Sequence, residues 1–256
     1  MRSISALPIS PRPSSTSPAG AASKAIAAQA RERRRFEGNE VVASNAAYDR
    51  GLHSYADLAG KVIAISQLGS PFHHQLGQIA RIKGFALDSM TLKPLRSPKA
   101  MARAVERGTV DAAILPARYA RDLLAANQAK PIGWVSDLDE QQLDALFTTG
   151  AMIAKQRATV AHFVHAYRRG VADYAKALLR HGRFGKRVAD AESDATAALI
   201  ALYIYPDGTD GAPAVETSAY FVDPRAHIDI SDIARQTAWY KTQGLVGTDV
   251  DATARP

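Results

Sequence analysis

The chain alternates between short unbroken apolar runs and stretches in which apolar residues recur every three or four positions. Lys61-Val-Ile-Ala-Ile-Ser66 is a run of the kind that forms a strand buried on both faces. Phe72, Leu76, Ile79 and Ala80 then follow helical spacing, and Gly84 supplies the stop. Met90-Thr-Leu-Lys-Pro-Leu95 is the next strand, with its proline placing it at an edge or an end. Ser97-Pro98 opens a helix carrying Met101, Ala104 and Val105, and Gly108 ends it. Asp111-Ala-Ala-Ile-Leu-Pro116 predicts a strand, Ala120, Leu123 and Leu124 a helix, and Lys130-Pro-Ile-Gly-Trp-Val135 a further strand. Glu40-Val-Val-Ala-Ser44 reads as one more short strand, and Tyr55-Ala-Asp-Leu-Ala-Gly60 as a helical turn closed by glycine. Alternation with such short connections predicts an α/β fold, a parallel sheet covered on both faces, with ligands outside the carboxyl ends of its strands.

Beyond Gly150 the pattern turns helical. Phe163, Tyr167, Val171, Tyr174 and Leu178 form one stripe of a long amphipathic helix. A second helix is expected near Asp194 to Tyr203, with Tyr203 and Tyr205 a packed helix end. A last helix starts at Ser231, capped by Ser231 and Asp232, and ends at Gly244. Asp207-Gly208 and Asp210-Gly211 are turn signals.

Composition changes the picture mainly before Val41. Proline, serine and alanine dominate up to Ala28, and Arg31, Arg33, Arg34 and Arg35 follow. Residues 1–40 are therefore expected to be a disordered basic tail. Residues 41–145 are expected to be a complete α/β lobe with a crossover strand near 41–45, and 146–256 a mostly helical remainder of another lobe. The formal net charge of +7 invites a nucleic-acid reading. No recognition helix, zinc finger or aromatic platform accompanies it, so no nucleic-acid partner is expected. The chain has no cysteine, which excludes disulfides, thiolate chemistry and cysteine-ligated metals. No run approaches the roughly 18 apolar residues of a membrane span. Met1-Arg-Ser-Ile-Ser-Ala-Leu-Pro-Ile-Ser-Pro forms no signal-peptide core.

The junction Gly69-Ser70-Pro71 carries the chemistry. Gly69 permits a sharp turn, Ser70 is placed as N-cap, and Pro71 as first helical residue. Amides of Phe72 and His73 at such a helix start form an anion site. The plainer reading is a helix start and nothing more, as at Ser97-Pro98. His73 could donate to an anion. His73-His74 and His162 with His165 are weak metal pairs without a third ligand, and no cofactor or metal is expected. Arg168, Arg169, Arg180, Arg183, Lys186 and Arg187 form a basic band, by default a solvated face, with a docking patch for a membrane partner as the sharper reading.

Taken in order, Ser54-Tyr-Ala-Asp-Leu-Ala-Gly-Lys-Val-Ile-Ala-Ile-Ser66, Gly69-Ser-Pro-Phe-His73, Gly108-Thr-Val-Asp-Ala-Ala-Ile-Leu-Pro116, Phe163-Val-His-Ala-Tyr-Arg-Arg-Gly170 and Ile233-Ala-Arg-Gln-Thr-Ala-Trp-Tyr-Lys-Thr-Gln-Gly-Leu-Val246 resemble one family. It comprises the substrate-binding proteins of ABC importers in the taurine, alkanesulfonate, nitrate and pyrimidine-precursor group (NMT1/THI5-like, periplasmic binding protein type 2). The resemblance runs from about Val41 to Val250. It implies two lobes with parallel-rich sheets closing on a small organic anion, a sulfonate or carboxylate, in an interlobe cleft. It implies no enzyme activity, a periplasmic location, and an ABC permease and ATPase complex at the inner membrane as partner. By the same resemblance, Gln67 and Gly69 line the cleft, Ser70 donates to the anionic head, and Phe72 and His73 flank it. Pro116 and Ala117 form the opposite rim, and Trp134 an apolar wall. Members of the family carry a further half-lobe before the strand near Val41, so the first lobe is expected to be incomplete. The alternatives are a pyrimidine-precursor enzyme, whose cysteine-rich motif is absent, a regulator's ligand-sensing domain, for which residues 1–40 hold no helix-turn-helix, and a non-functional member of the family.

Overall fold

The computed structural model describes residues 23–182, 187–205, 208 and 211–251. Nine strands are β1 (Ser23–Ala28), β2 (Ala30–Arg31), β3 (Asn39–Ser44), β4 (Val62–Ile65), β5 (Thr91–Pro94), β6 (Ala112–Pro116), β7 (Ala129–Trp134), β8 (Ala145–Thr149) and β9 (Phe221–Val222), among the described residues. The helices are α1 (Asn45–Asp49), α2 (Pro71–Lys83), α3 (Pro98–Glu106), α4 (Ala117–Ala125), α5 (Gly150–Lys155), α6 (Arg157–Leu178), α7 (Ala191–Ile204), α8 (Gly211–Thr217) and α9 (Ile230–Thr242). Two compact units result: Glu32–Glu140, and the chain before Glu32 together with that after Glu140.

The unit Glu32–Glu140 is built on a five-stranded sheet of order β5-β4-β6-β3-β7. β4 pairs in parallel with β5 and β6. β3 pairs antiparallel with β6 and with β7. The sheet is thus parallel-rich but not wholly parallel, which corrects the simple βαβ expectation. All six residues of β3 are buried. One face packs Val41, Ala43, Ile63, Ile65 and Ile114 against Leu76 and Ile79 of α2. The other packs Val42, Ala64, Ala113 and Leu115 against Met101 and Val105 of α3 and Ala120 and Leu123 of α4. Each fully buried Ile or Leu stabilises by about 1.5–3 kcal/mol, so this sandwich fixes the sheet that presents the site.

In the other unit β1 pairs antiparallel with β8, and β2 with β9. Ala177, Leu178, Ala197, Ala201, Val215 and Ala219 form the core joining α6, α7 and α8. The stripe predicted on α6 is buried at Val171 and Leu178, whereas Phe163, nearer its start, is exposed. Tyr203, expected to pack, is 82% exposed, and Tyr205 instead packs on the core.

Two further expectations change. Residues 23–40 are not a disordered tail: they hold β1, β2 and the start of β3. The partner that orders β1 is β8, far along the chain, with Ala27 facing Leu146 and Ala28 facing Ala145. The arginines there are engaged too. Arg31 binds Asp229 at 3.0 Å, Arg33 binds Glu140 at 2.8 Å, and Arg34 donates to the Asp137 carbonyl. The disorder expected for residues 1–22 lies outside the described residues, as do Arg183, Lys186, Asp207 and Asp210. The second change is at α9, whose N-cap is Asp229 rather than Ser231. The Asp229 carboxylate accepts from the Asp232 amide and from the Ser231 hydroxyl.

Candidate functional site

β4, β6 and β7 all end at the same edge of the sheet, and antiparallel β3 begins there. The residues chosen from the sequence fall on this carboxyl edge. β4 stops at Ile65, and Ser66 to Ser70 lead straight into α2. Gly69 takes φ 78°, the left-handed region open to glycine. Ser70 is the N-cap, its hydroxyl accepting from the His73 amide at 3.3 Å, with Pro71 in the first turn. The Ser70 amide donates to the Gln67 carbonyl at 3.2 Å, which pins the loop. Gln67 itself is exposed, while Ser70 is buried at 1% exposure. The Phe72 amide donates to no acceptor among the described residues. Its ring bridges both hydrophobic clusters, so this amide sits at a fixed place.

His73 differs from expectation in detail. Its Nδ1 accepts from the Gly69 amide at 3.1 Å. Burial holds its pKa below the usual histidine value. The ring is therefore neutral at pH 7 and carries its proton on Nε2. It braces the Gly69 turn before it does anything to a ligand. His74 faces Gln78 instead, at 3.2 Å. His162 and His165 are exposed, and among the described residues no cluster of three His, Cys, Asp or Glu is placed to hold a metal.

Pro116 is the N-cap of α4, which has no side-chain cap, and the Ala117 amide donates to the Gly38 carbonyl at 2.9 Å. Trp134 ends β7, and its carbonyl accepts from the Tyr55 hydroxyl at 2.8 Å. Its side chain is half-buried and belongs to neither core cluster, so it is not plain core.

The structure adds residues that sequence reasoning missed. Asn39 and Glu40 open β3 at this edge, and Glu32 lies under it. Glu32 Oε1 accepts from the Asn39 amide at 3.0 Å and from Gln75 Nε2 at 3.1 Å. Asn39 Nδ2 donates to Gln75 Oε1 at 3.2 Å, closing a buried triad. Burial pushes the Glu32 carboxyl up to about 8, against the pull of the Asn39 and Gln75 hydrogen bonds. Glu40 is likewise pushed up to about 7, by burial first and then by Glu37, with Arg121 pulling the other way. The signal available in the sequence was an acidic residue opening an otherwise apolar strand, Glu40-Val-Val-Ala. A groove of about 320 Å³ lies elsewhere, between α3 and α4, lined by Lys99, Arg103, Arg118 and Asp122 among others. None of the candidate residues lines it.

The parallel-rich sheet with its helix start at the carboxyl edge has a type 2 periplasmic-binding-protein-like fold, on the structural matches that follow. The chain belongs to the NMT1/THI5-like family, whose model matches residues 39–177, more than half of its length. The periplasmic aliphatic sulphonate binding protein SsuA of Escherichia coli superposes with TM-score 0.62 at 16% identity, over 89% of this chain and 67% of that one. A putative sulfonate-binding SsuA of Methylobacillus flagellatus KT gives 0.63 at 15% identity, over 90% of this chain and 64% of that one. The alkanesulfonate-binding SsuA of Xanthomonas axonopodis pv. citri, bound to MOPS, gives 0.63 at 17%, over 91% and 72%. The chain thus spans about two thirds of the length of these structures. The desulfurization enzyme DszB shares the fold with TM-score 0.55 at 17% identity. Curated protein sequences give no match. Among the described residues no helix is long and apolar enough to cross a membrane.

Proposed function

We propose that this chain binds a small organic anion, a sulfonate or carboxylate, at the carboxyl edge of the sheet in Glu32–Glu140, as the solute-binding component of an ABC importer. The observation that carries the reading is the start of α2. A Ser-Pro cap directly after a buried strand holds the Phe72 amide, without an acceptor among the described residues, at the edge where α/β sheets take ligands. The partial positive charge of a 13-residue helix adds to that donor. Fold likeness to the SsuA proteins and membership of the family support the same reading. The periplasm and a permease with its ATPase are the setting it implies. An enzyme reading has less support: DszB shares the fold, but the chain has no cysteine nucleophile, and His73 is tied to Gly69 rather than to a nucleophile.

Calorimetry with a panel of short sulfonates and carboxylates tests the proposal. Ser70→Ala releases the His73 amide and unsettles the first turn, so affinity should fall by about tenfold, the worth of one hydrogen bond to a charged group. Equal affinity in the variant would remove the α2 start from the site.

A further inference from the structure

Helix α7 is apolar on two sides. Its core side holds Ser193, Ala197, Ile200 and Ala201, all buried or packed on the helical core. Its other side is a second stripe, Ala195, Ala198, Leu199, Leu202 and Tyr203, spaced i, i+3, i+4, i+7 and i+8 as on a helix that packs against a neighbour. All five are exposed, Leu199, Leu202 and Tyr203 by 57%, 71% and 82%. A helix with one core contact normally turns charged residues to the solvent, and this stripe has no charge. It leaves about 500 Å² of largely apolar surface open on one copy, as much as the largest patch of a typical monomer, where such a patch marks an interaction.

The stripe is its own complement. Set two copies of α7 antiparallel about a two-fold axis between Ala198 and Leu199. Ala195 of one copy then stands level with Leu202 of the other, and Ala198 level with Leu199. Each leucine meets an alanine, so large side chains fill small positions along the seam and the helix axes come close. The antiparallel setting also places each positive dipole end beside a negative one. Such a pair buries about 1,000 Å², the threshold of a specific interface and the scale of a micromolar dimer. A lipid surface is a poorer occupant. α7 has no lysine or arginine, its first turn carries Glu192 and Asp194, and the neighbouring cations Lys176 and Arg180 are taken by Glu192 and Asp190.

We propose that this stripe is a homodimer interface, α7 packing antiparallel on α7 of a second copy about an axis between Ala198 and Leu199. The interface is separate from the solute site at α2 and stands or falls without it.

Sedimentation equilibrium of the full chain should show a mass rising from one chain to two between about 1 and 200 µM. Leu202→Glu puts a charge into the seam and should weaken association by at least about 100-fold. Its melting temperature at concentrations where the parent is monomeric should be unchanged, because Leu202 lies outside the core cluster. The chain has no cysteine, so a single introduced one reports on its own surroundings. Ala198→Cys sits beside the axis and should form a disulfide-linked dimer under mild oxidation. Ala191→Cys is exposed on the same helix, but its two copies lie about 20 Å apart in the antiparallel pair, and it should not. A single-chain mass up to about 200 µM overturns the proposal, and flotation of that monomer with phosphatidylglycerol vesicles assigns the face to lipid instead. A dimer that survives Leu202→Glu, or that links as readily through Ala191→Cys as through Ala198→Cys, uses another surface or orientation and overturns it too. If Leu202→Glu melts lower, Leu202 belongs to the fold and the two cysteine variants decide.

Discussion

Replacing Glu32 by glutamine should make the protein more stable at pH 8.5 and nearly unchanged at pH 5. The carboxyl group has no exposed surface, and burial raises its pKa from 4.5 to about 8. Between those two values the folded chain holds a proton that the unfolded chain has released. Unfolding free energy therefore falls as pH rises through this window and levels off above about 8. Every tenfold difference in proton affinity between the folded and unfolded chains is worth about 1.4 kcal/mol, so the ceiling on the effect is about 5 kcal/mol. Glutamine keeps the Oε1 acceptor that holds the Asn39 amide and Gln75 Nε2, and has no charge to bury.

Glu40 contributes in the same direction up to about 7, and His73, whose pKa is lowered by burial, in the opposite direction below 6.5. Both are present in parent and variant, so the difference between the two isolates Glu32. Urea denaturation of both proteins at pH 5.0, 6.5, 7.5 and 8.5 is the assay. The stability difference should grow with pH, reaching at least about 1.5 kcal/mol in favour of the variant at pH 8.5. Parallel pH profiles would refute the reasoning, because they would mean that Glu32 titrates alike in the folded and unfolded chains.

Gly133→Ala should lower stability by about 1–3 kcal/mol, read as a drop in melting temperature. Gly133 holds φ 150°, and a Cβ there meets the Tyr55 hydroxyl, which would have to release the Trp134 carbonyl. An unchanged melting temperature would show that Tyr55 has room to move. Asp229→Ala should cost about 0.5–2 kcal/mol through the lost α9 cap, with Arg31 losing its partner as well. Ser231, the Asp232 amide and Arg31 together hold Asp229 down at about 2 against its partial burial. Its contribution is therefore complete above 3.8 and lost as pH falls toward 2, so parent and variant should converge in acid denaturation. Leu178→Ala, at a position with no exposure in the helical core, should cost about 2–5 kcal/mol in chemical denaturation.

What the sequence made legible was local. β4, β6 and β7 could be read because their apolar runs are short and bounded by turn residues. The start of α2 could be read because Ser70, Pro71 and Gly69 each have one conformational role, and all three play it. Gly84, at φ 77°, likewise ends α2 as its position suggests. What stayed hidden depends on distant chain. Ser23–Ala28 is half alanine, with little strand preference of its own, and is a strand because Ala145–Thr149 lies beside it. The direction of β3 leaves no trace in its own pattern, since Val41, Val42 and Ala43 are apolar either way. Glu32 reads as part of a tail because its neighbours are arginines, and nothing local announces that Asn39 and Gln75 surround it. The cap of α9 slipped from Ser231 to Asp229 because Asp229, Ser231 and Asp232 are all able caps, and only tertiary contact with Arg31 separates them.

The reversed strand has a chemical consequence. The carboxyl edge of a wholly parallel sheet offers a ligand strand ends and helix starts, which is to say mainly N–H donors. Those donors favour an anion. Setting β3 antiparallel between β6 and β7 brings the beginning of a strand to that edge, and with it the side chains of Asn39 and Glu40. Because consecutive strand residues face opposite ways, Asn39 turns toward α2, where Gln75 meets it, and Glu40 toward the face of α3 and α4. One strand reversal thus gives a donor-rich edge its acceptors and divides them between two faces, one closed by a structural triad and the other left with an unpaired carboxyl. A register slip of one residue in β3 would exchange the two and bury Glu40 against Gln75. The register that completes the core is therefore also the one that leaves Glu40 Oε2 without a hydrogen-bond partner.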